Sequence, residues 1–264
     1  MQPLVYPLEY VPMLGKGLVM FDQFDANGLP TGFMAVGNAT KFGAETKDDI
    51  AEQYGSINAN AALIATALKK RQIKMTIEGT DFKSDVMALA LMGGSKTIVS
   101  TAAATVTAEQ LVSATATHAG RFFYTQKMNI DNTATPPVLT NGVTVLVEGT
   151  DYLCVDTESG AFYFPVTTSA VDGSATTITY HTVVGSQDVV AMGTKPQLTG
   201  ALKFSPDPTD GQKIGLDIWK LNLSPTGTIQ FIADEYGNWS MDGLVLDDSV
   251  AHPTEPFGHA TFLK

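Results

Sequence analysis

The sequence is poor in charged residues, in cysteine and in long hydrophobic runs. Charged residues make up 16% of the 264 residues, against about a quarter in an average globular protein. Glycine is plentiful, with 24 residues. This composition suits strands and turns better than exposed helices, and it predicts a mainly β protein with little helix. The one cysteine, Cys154, excludes an intramolecular disulfide and favours folding in the cytosol.

Basic side chains are also scarce. The chain has 16 lysines and arginines against 27 aspartates and glutamates, a net charge of −11. Because proteins that grip nucleic acid do so mainly with basic side chains that displace counterions, this balance argues against tight DNA binding. The apolar runs near residues 61–65 and 86–92 are far shorter than the roughly 20 residues of a membrane span. We therefore expect no membrane insertion.

No catalytic or metal-binding motif stands out in the sequence. The four histidines lie far apart or beside loops, and there is no HExxH pattern and no paired cysteine and histidine. A nucleophile elbow and a phosphate-binding glycine loop are also missing. We therefore predict no catalytic residue, no metal and no cofactor, and a protein that is not an enzyme.

Local patterns place strands and one helix in the first third of the chain. From Ile73 to Glu78 apolar and polar residues alternate, which is typical of a strand with one buried and one solvent-facing side. The preceding stretch AALIATALKKR fits a helix and a strand equally well. The segment VMALALMGG, by contrast, predicts a short buried helix that ends at its glycine pair.

A change of composition marks an inserted unit. The chain becomes rich in threonine and alanine from about residue 96, and short strand patterns such as GAFYFP and TTITYHTV, separated by turn signals, continue to about residue 185. We therefore expect residues 96–185 to form an inserted Ig-like β-sandwich. Residues 1–95 together with 186–264 form the main domain in this interpretation.

Three segments are candidates for contacts between subunits. Residues 1–14 and 249–264 carry prolines among large apolar groups and are predicted to be extended arms. Residues 47–60 are polar and aperiodic, which predicts a long exposed loop. The apolar side chains of the arms either cover their own core or pack between subunits. The candidate intersubunit residues are Tyr6, Leu8, Tyr10, Ile50, Tyr54, Ile57, Phe257 and Phe262.

Several of these stretches, in this order, resemble a known family. GKGLVMFDQFDANGLPTGFMAVGNATKFGAET, followed by the polar segment and then by KMTIEGTDFKSDVMALALMGG, is similar to the opening of the major tail tube proteins of long-tailed (siphovirus-type) bacteriophages. EGTDYLCVDTESGAFYFP followed by TTITYHTV is similar to the insert that several such proteins carry. The ending FIADEYGNWSMDGLVLDD also fits.

The resemblance implies a fold, a function and partners. The fold would be two packed antiparallel sheets with one flanking helix, as in contractile-tail and type VI secretion tubes. Six subunits would form a ring, and stacked rings would form the channel for genomic DNA, which transits without tight binding. The expected partners are the tape measure, tail tip and terminator proteins, and the expected location is the virion tail, after synthesis in the host cytoplasm. The candidate acids of the lumen are Glu78, on the polar side of the strand that carries Ile73, and Asp234 and Asp242, which are predicted to lie on the late strands.

Two other functions remain open at this stage. The chain could be a virion decoration protein or a glycan- or capsid-binding β-sandwich module, which would leave the apolar N-terminal arm unexplained. A β-sandwich glycosidase would need paired carboxylates, such as Asp234 and Glu235 with Asp242. Neighbouring residues on a strand point to opposite sides of a sheet, so Asp234 and Glu235 would not share a site there.

Overall fold

The computed structural model describes residues 13–54, 56, 63–111, 117–167, 173, 175–232 and 234–263. Over these ranges the chain is mainly β, with antiparallel sheets and a single short helix, which confirms the predicted fold class. The elements are β1 (Met13–Leu14), β2 (Gly17–Gln23), β3 (Met34–Ala35), β4 (Ala39–Tyr54), β5 (Leu63–Gly79), α1 (Ser84–Ala90), β6 (Lys96–Thr101), β7 (Ala104–Gln110), β8 (Arg121–Tyr124), β9 (Val138–Asn141), β10 (Thr144–Val145), β11 (Leu153–Asp156), β12 (Ala161–Phe164), β13 (Thr176–Thr182), β14 (Gly185–Val190), β15 (Leu198–Pro206), β16 (Asp210–Gly211), β17 (Lys213–Thr226), β18 (Trp239–Val245) and β19 (His259–Leu263).

The chain divides into two compact units. Unit 1 comprises residues 1–96 and 190–264, and unit 2 comprises residues 97–189. Each unit has its own cluster of buried apolar side chains. Unit 2 is therefore an insertion into unit 1, with ends close to the predicted boundaries at residues 96 and 185.

Unit 1 is built on one eight-stranded sheet that rolls around its own core. The strand order is β3-β2-β15-β17-β18-β5-β4, with β19 paired to β17. β4 and β15 are four positions apart, which is about 19 Å along a flat sheet. Yet the rings of Phe42 on β4 and Phe204 on β15 have centroids only 5.2 Å apart. The strong curvature brings both ends of the sheet onto one core.

The core of unit 1 is filled by alternate residues of the long strands and closed by α1. Met75 and Ile77, both fully buried, are the inward side of the alternation predicted from the sequence. Trp239 is also buried, and its Nε1 donates a hydrogen bond of 2.8 Å to the Asp81 carbonyl. A Cβ at Gly79 would lie 2.3 Å from the Trp239 ring. Glycine at position 79 is therefore what lets the tryptophan lie flat against β5.

The predicted loop at residues 47–60 is wrong for residues 47–54. These residues belong to β4, which continues to Tyr54 and pairs with β5 in a long antiparallel hairpin. The polar, aperiodic sequence is compatible with a strand here because both sides of this part of the hairpin face solvent. The register places Asp48 opposite Arg71 and Asp49 opposite Lys70, so opposite charges across the hairpin replace the missing apolar pattern.

The predicted C-terminal arm is also wrong, because residues 249–263 belong to unit 1. β17 is 14 residues long, but β18 pairs only with its second half. β19 fills the free edge left along Lys213–Asp217. The prolines at 253 and 256 lie in turns before β19 and leave its ladder intact. Trp219 fixes the segment further, since its Nε1 donates a 2.8 Å hydrogen bond to the Glu255 carbonyl and its ring stacks on His252 at 4.1 Å.

Unit 2 is a small β-sandwich. One sheet has the order β10-β9-β13-β7 and another has the order β11-β12-β8, while β6 and β14 pair with each other. Its core takes Leu139 and Ile178 from the first sheet and Phe123 and Phe162 from the second. Cys154 packs at the edge of this core, in keeping with a structural role.

Candidate assembly surface

The most conspicuous surface of unit 1 is the outer part of the β4–β5 hairpin, which we call the ribbon. It consists of residues Thr46–Tyr54 of β4 and Leu63–Ile73 of β5. β18 pairs with β5 only from Lys74 to Gly79, so the ribbon extends beyond the sheet as two strands. Nine residues of strand span about 30 Å. Within the described residues, only the two strands of the ribbon hydrogen-bond to one another there.

The ribbon has an apolar side made by Ile50, Tyr54, Leu63 and Leu68. Ile50 pairs with Leu68 and Tyr54 pairs with Leu63 across the hairpin. Their exposed fractions are 51%, 54%, 49% and 53% in the order first given. The pairing skips one β5 residue after Asp49 and another after Gln53, while the side chains of β4 go on alternating without a break. The four apolar residues therefore lie on the same side of the strands as Ile73, Met75 and Ile77. The apolar side thus continues the core-facing side of the sheet beyond the core.

The other side of the ribbon is polar and small. Its cross-strand pairs include Asp49 with Lys70 and Ala51 with Ala67.

On the apolar side of the ribbon, Arg71 and Asp48 form a two-pronged ion pair with contacts of 2.9 and 2.8 Å. The hydrogen bonds from Arg71 lower the pKa of the Asp48 carboxyl from its ordinary value. A two-stranded hairpin is marginal on its own in water, and these pairs help to hold it.

A second surface is the outward-facing side of β4, β5 and β18, where acids and lysines alternate. Lys41 Nζ donates to Glu78 Oε1 at 2.7 Å, and Lys74 Nζ lies 2.7 Å from Asp242 Oδ2. Thr76 Oγ1 donates to Asp242 Oδ1 at 3.0 Å. The hydrogen bond to Asp242 raises the pKa of Lys74, so its ammonium stays charged. We call these five residues the polar sheet face.

The three acids predicted for a lumen do not share one location. Glu78 and Asp242 both lie on the polar sheet face, and each is paired with a lysine. Asp234 lies instead in the connection between β17 and β18, so its predicted place on a strand is wrong. The glycine and asparagine that precede Trp239 end the irregular segment there. The same connection exposes Phe231, Ile232 and Tyr236, the last two by more than nine-tenths.

The predicted intersubunit residues are divided by the structure. Tyr6, Leu8, Tyr10 and Ile57 lie outside the described residues. Ile50 and Tyr54 lie on the apolar side of the ribbon, half exposed. Phe257 packs against the core of its own unit, and only Phe262 of the C-terminal pair is largely exposed, at 63%.

The histidines, the cysteine and the acids of the described ranges are dispersed over both units. These ranges contain no cluster of three or more histidine, cysteine or acidic side chains that could hold a metal ion. His259 lies 3.3 Å from Asp217 and 3.1 Å from Glu255, where it fixes β19. Burial raises the pKa of the Cys154 thiol, which disfavours the reactive thiolate. Among the same residues no helix is long and apolar enough to cross a membrane.

The chain matches the model of a protein family. The model of a family described as "Protein of unknown function UCP028589" matches residues 12–259, nearly the whole chain. The chain belongs to this family. The match to UCP028589 covers the ribbon, the polar sheet face and all of unit 2. No curated protein matches the chain.

Sequence reasoning missed the ribbon, although a signal for it was present. The segment KDDIAEQY is acidic, and the segment LIATALKKR a few residues later is basic and rich in β-branched or small residues. Read in opposite directions, the two place acids against bases, which is the pattern of an antiparallel pair. Hydrophobic alternation alone could not reveal it, since the ribbon has no buried side in the single subunit.

Proposed function

We propose that this protein is a structural subunit of a phage-type tail tube, assembling into six-membered rings that stack around a DNA channel. The observation that carries the proposal is the apolar side of the ribbon, which extends the core-facing side of a rolled sheet into solvent. A two-stranded ribbon with an exposed apolar side is only marginally stable in an isolated subunit. A second copy of the chain would supply the cover that the single subunit lacks.

The energetics favour covering this surface. Burying a large apolar side chain fully contributes about 1.5–3 kcal/mol. Ile50, Tyr54, Leu63 and Leu68 are already half buried, so covering them would contribute about 3–6 kcal/mol per contact before the cost of association. Within the described residues the outer strand edges of the ribbon have no partner strand, so they carry backbone groups that another chain can satisfy. Repeated around a ring, contacts of this size support a stable polymer.

The dimensions of such a ring suit a duplex. Four strands from each of six subunits give about 24 strands, which at about 4.8 Å spacing and about 45° tilt close at a diameter of roughly 50 Å. Side chains of about 5 Å on each side leave roughly 40 Å, wider than the roughly 20 Å of a DNA duplex. The polar sheet face is the surface we assign to the lumen. Its carboxylates and ammonium groups neutralise each other and offer DNA few free cations.

Removing the two acids of the polar sheet face should make the channel adhesive. In a Glu78→Gln/Asp242→Asn variant, Lys41 and Lys74 lose their partners and become free to displace counterions from DNA. Each of the six subunits in a ring would contribute two free lysines, Lys41 and Lys74. We expect wild-type tubes to bind duplex DNA weakly at 50 mM salt. We expect the variant to bind at least about tenfold more tightly, with the gain lost at high salt.

A matched control makes the same change of charge elsewhere. Asp207→Asn/Asp247→Asn removes two exposed acids that lie outside β4, β5 and β18. This variant should bind DNA as the wild type does in filter retention. Equal binding by both variants would show that net charge alone decides retention, and that the polar sheet face does not line the channel.

One observation favours a second function for unit 2. The outward side of its β11-β12-β8 sheet exposes Leu153, Phe122 and Tyr124, and the rings of Phe122 and Tyr163 lie 4.8 Å apart. Aromatic side chains on an open sheet are typical of binding surfaces. A decoration or surface-binding module would act through this sheet and would need no polymer.

Negative-stain microscopy of the purified, concentrated protein separates the two functions. The tail-tube proposal requires rings whose backbone diameter at the channel is about 50 Å, and tubes made of stacked rings. A binding module would show only discrete particles at every concentration. The tube proposal also implies the other tail proteins as partners and the virion tail as the location. It leaves the protein without an enzymatic role, a cofactor or a membrane segment.

A further inference from the structure

The connection between β17 and β18 exposes three large apolar side chains, which we call the apolar tip. They are Phe231, Ile232 and Tyr236, with exposed fractions of 71%, 97% and 96%. The base of the connection is anchored, because Ile229 packs against the core of unit 1. Single exposed apolar side chains are common on protein surfaces. Three large ones on one short, anchored connection are typical of a contact surface.

The apolar tip and the ribbon lie at opposite ends of the same strands. β18 begins at Trp239, just after the connection that carries the tip, and Trp239 pairs with Gly79 at the end of β5. Leu68 on the ribbon lies about 36 Å from Gly79 along β5, at about 3.3 Å per residue. The apolar tip of a subunit is therefore far from the ribbon of the same subunit.

Both surfaces lie on the core-facing side of the sheet. The apolar side of the ribbon continues that side beyond the core. The connection that carries the tip reaches the core through Ile229, and the ring of Phe82 lies so close to Gly237 that a Cβ there would be 2.8 Å from it. A second copy displaced along the strands therefore brings its tip towards the apolar side of the ribbon of the first copy.

The charges beside the two surfaces are complementary. The connection carries two exposed acids, Asp234 and Glu235, and no basic residue. The β5 strand of the ribbon carries three basic residues and no acid. One of them, Lys69, is skipped by the cross-strand pairing, so β4 places no acid opposite to it. Opposite charges around an apolar contact favour the encounter and fix its register, whereas tip against tip would set acids against acids.

We propose that the apolar tip of one subunit packs on the apolar side of the ribbon of a second copy, in the next ring. The inference rests on the proposed function, because it names the contact that joins successive rings. Every copy offers one tip and one ribbon at opposite ends, so a head-to-tail contact between them repeats from ring to ring without limit. A subunit that adds to a growing tube makes this contact as well as those with its neighbours in the ring.

Removing the apolar tip should impair assembly without unfolding the subunit. In an Ile232→Gln/Tyr236→Gln variant both changes fall on side chains that are almost fully exposed in the single subunit. The contact with the ribbon loses apolar burial, so we expect tubes to need at least about a tenfold higher protein concentration than the wild type. A tip variant that assembles at the wild-type concentration would overturn the inference.

Unit 2 offers a matched control for the tip variant. Val143 and Val184 are also largely exposed, at 99% and 79%, but lie outside unit 1. Val143→Gln/Val184→Gln should assemble as the wild type does. A control as defective as the tip variant would show that exposed apolar side chains promote assembly wherever they lie, and this result would also overturn the contact.

Charge reversal tests which surfaces meet. Asp234→Lys/Glu235→Lys makes the tip basic, and Lys69→Glu reverses the unpaired lysine of the ribbon. Each change alone should raise the concentration needed for tubes at low salt, because like charges then meet at every contact. Combined in one chain, they should assemble at a lower concentration than the reversed tip alone. Lys69→Glu would thus harm the wild type and rescue the reversed tip, as only groups that interact do.

Sedimentation velocity on these proteins gives all the outcomes, with circular dichroism to confirm that each is folded. Since the tip and the ribbon of one subunit lie far apart, the rescue reports a contact between copies. Additive losses in the combined chain, with no rescue, would overturn the contact. Wild-type tubes with an unaffected tip variant would remove only this contact and leave the function standing. Wild-type protein that never assembles would overturn the proposed function together with the contact.

Discussion

An Ile50→Gln/Leu68→Gln variant is expected to remain a folded monomer at concentrations where the wild type forms tubes. The two side chains pair across the hairpin on the apolar side of the ribbon, and each is about half exposed in the single subunit. Substitution of exposed residues changes the free energy of unfolding by only about 0.5 kcal/mol. In the assembly, each site loses about 0.8–1.5 kcal/mol of apolar burial and gains a buried amide. We expect the threshold concentration for assembly to rise about 100-fold.

The ribbon itself offers a matched control for this prediction. Ala51 and Ala67 also pair across the hairpin, but on the opposite, polar side. Ala51→Gln/Ala67→Gln introduces the same amides one position away and should assemble near the wild-type threshold in sedimentation experiments. If this control were as defective as the first variant, the ribbon would matter without its apolar side being buried. Normal tubes from the first variant would remove the ribbon from the assembly mechanism.

Replacing residues 97–189 by a short Gly/Ser linker is expected to leave unit 1 folded and able to form tubes of the same bore. The two chain ends left by the excision are already held together within unit 1. Gly193 donates a backbone hydrogen bond of 2.8 Å to Leu91, and Lys195 donates one of 3.0 Å to Met92. A few residues of linker can therefore span the gap. Every strand of the eight-stranded sheet remains in the shortened chain.

Tryptophan fluorescence gives a direct comparison for the excision. Both tryptophans, Trp219 and Trp239, belong to unit 1, so they report on the same fold in the full chain and in the shortened one. We expect the emission maximum and the cooperative loss of signal in denaturant to be retained, and tubes to appear in the microscope. A shortened chain that exposes Trp239 would show that unit 1 needs the insert to fold. A folded chain without tubes would place the insert in the assembly contacts.

The sequence was a good guide wherever burial leaves a periodic pattern. Met75 and Ile77 alternate with polar neighbours because one side of β5 faces the core there, and this strand was predicted. The Ala/Leu helix with its glycine stop was predicted for the same reason, since α1 buries five consecutive residues, 86–90. The turn signals of unit 2 also marked its short strands. Each of these patterns is imposed by contacts that lie close in sequence or repeat along one element.

The sequence was a poor guide wherever structure depends on a distant partner. The AALIATALKKR stretch has no local preference that separates helix from strand, and from Leu63 onward its state follows from pairing with β4. The C-terminal segment resembles an arm because of its prolines, yet β19 forms since β17 is longer than β18 and leaves an edge free. Asp234 was misplaced on a strand, because the start of β18 at Trp239 is set by pairing with β5 and β17, which are distant in sequence. The sequence likewise does not show which lysines pair with Glu78 and Asp242, because the register of β5 with β4 and β18 decides it.

A cryo-electron microscopy reconstruction of the assembled wild-type protein would show where the ribbon and the polar sheet face lie. We expect stacked six-membered rings in which Ile50, Tyr54, Leu63 and Leu68 contact a second copy of the chain, while Glu78 and Asp242 face the channel. Tubes in which the apolar side of the ribbon faces solvent would contradict this expectation. So would a purified protein that stays monomeric at every concentration examined.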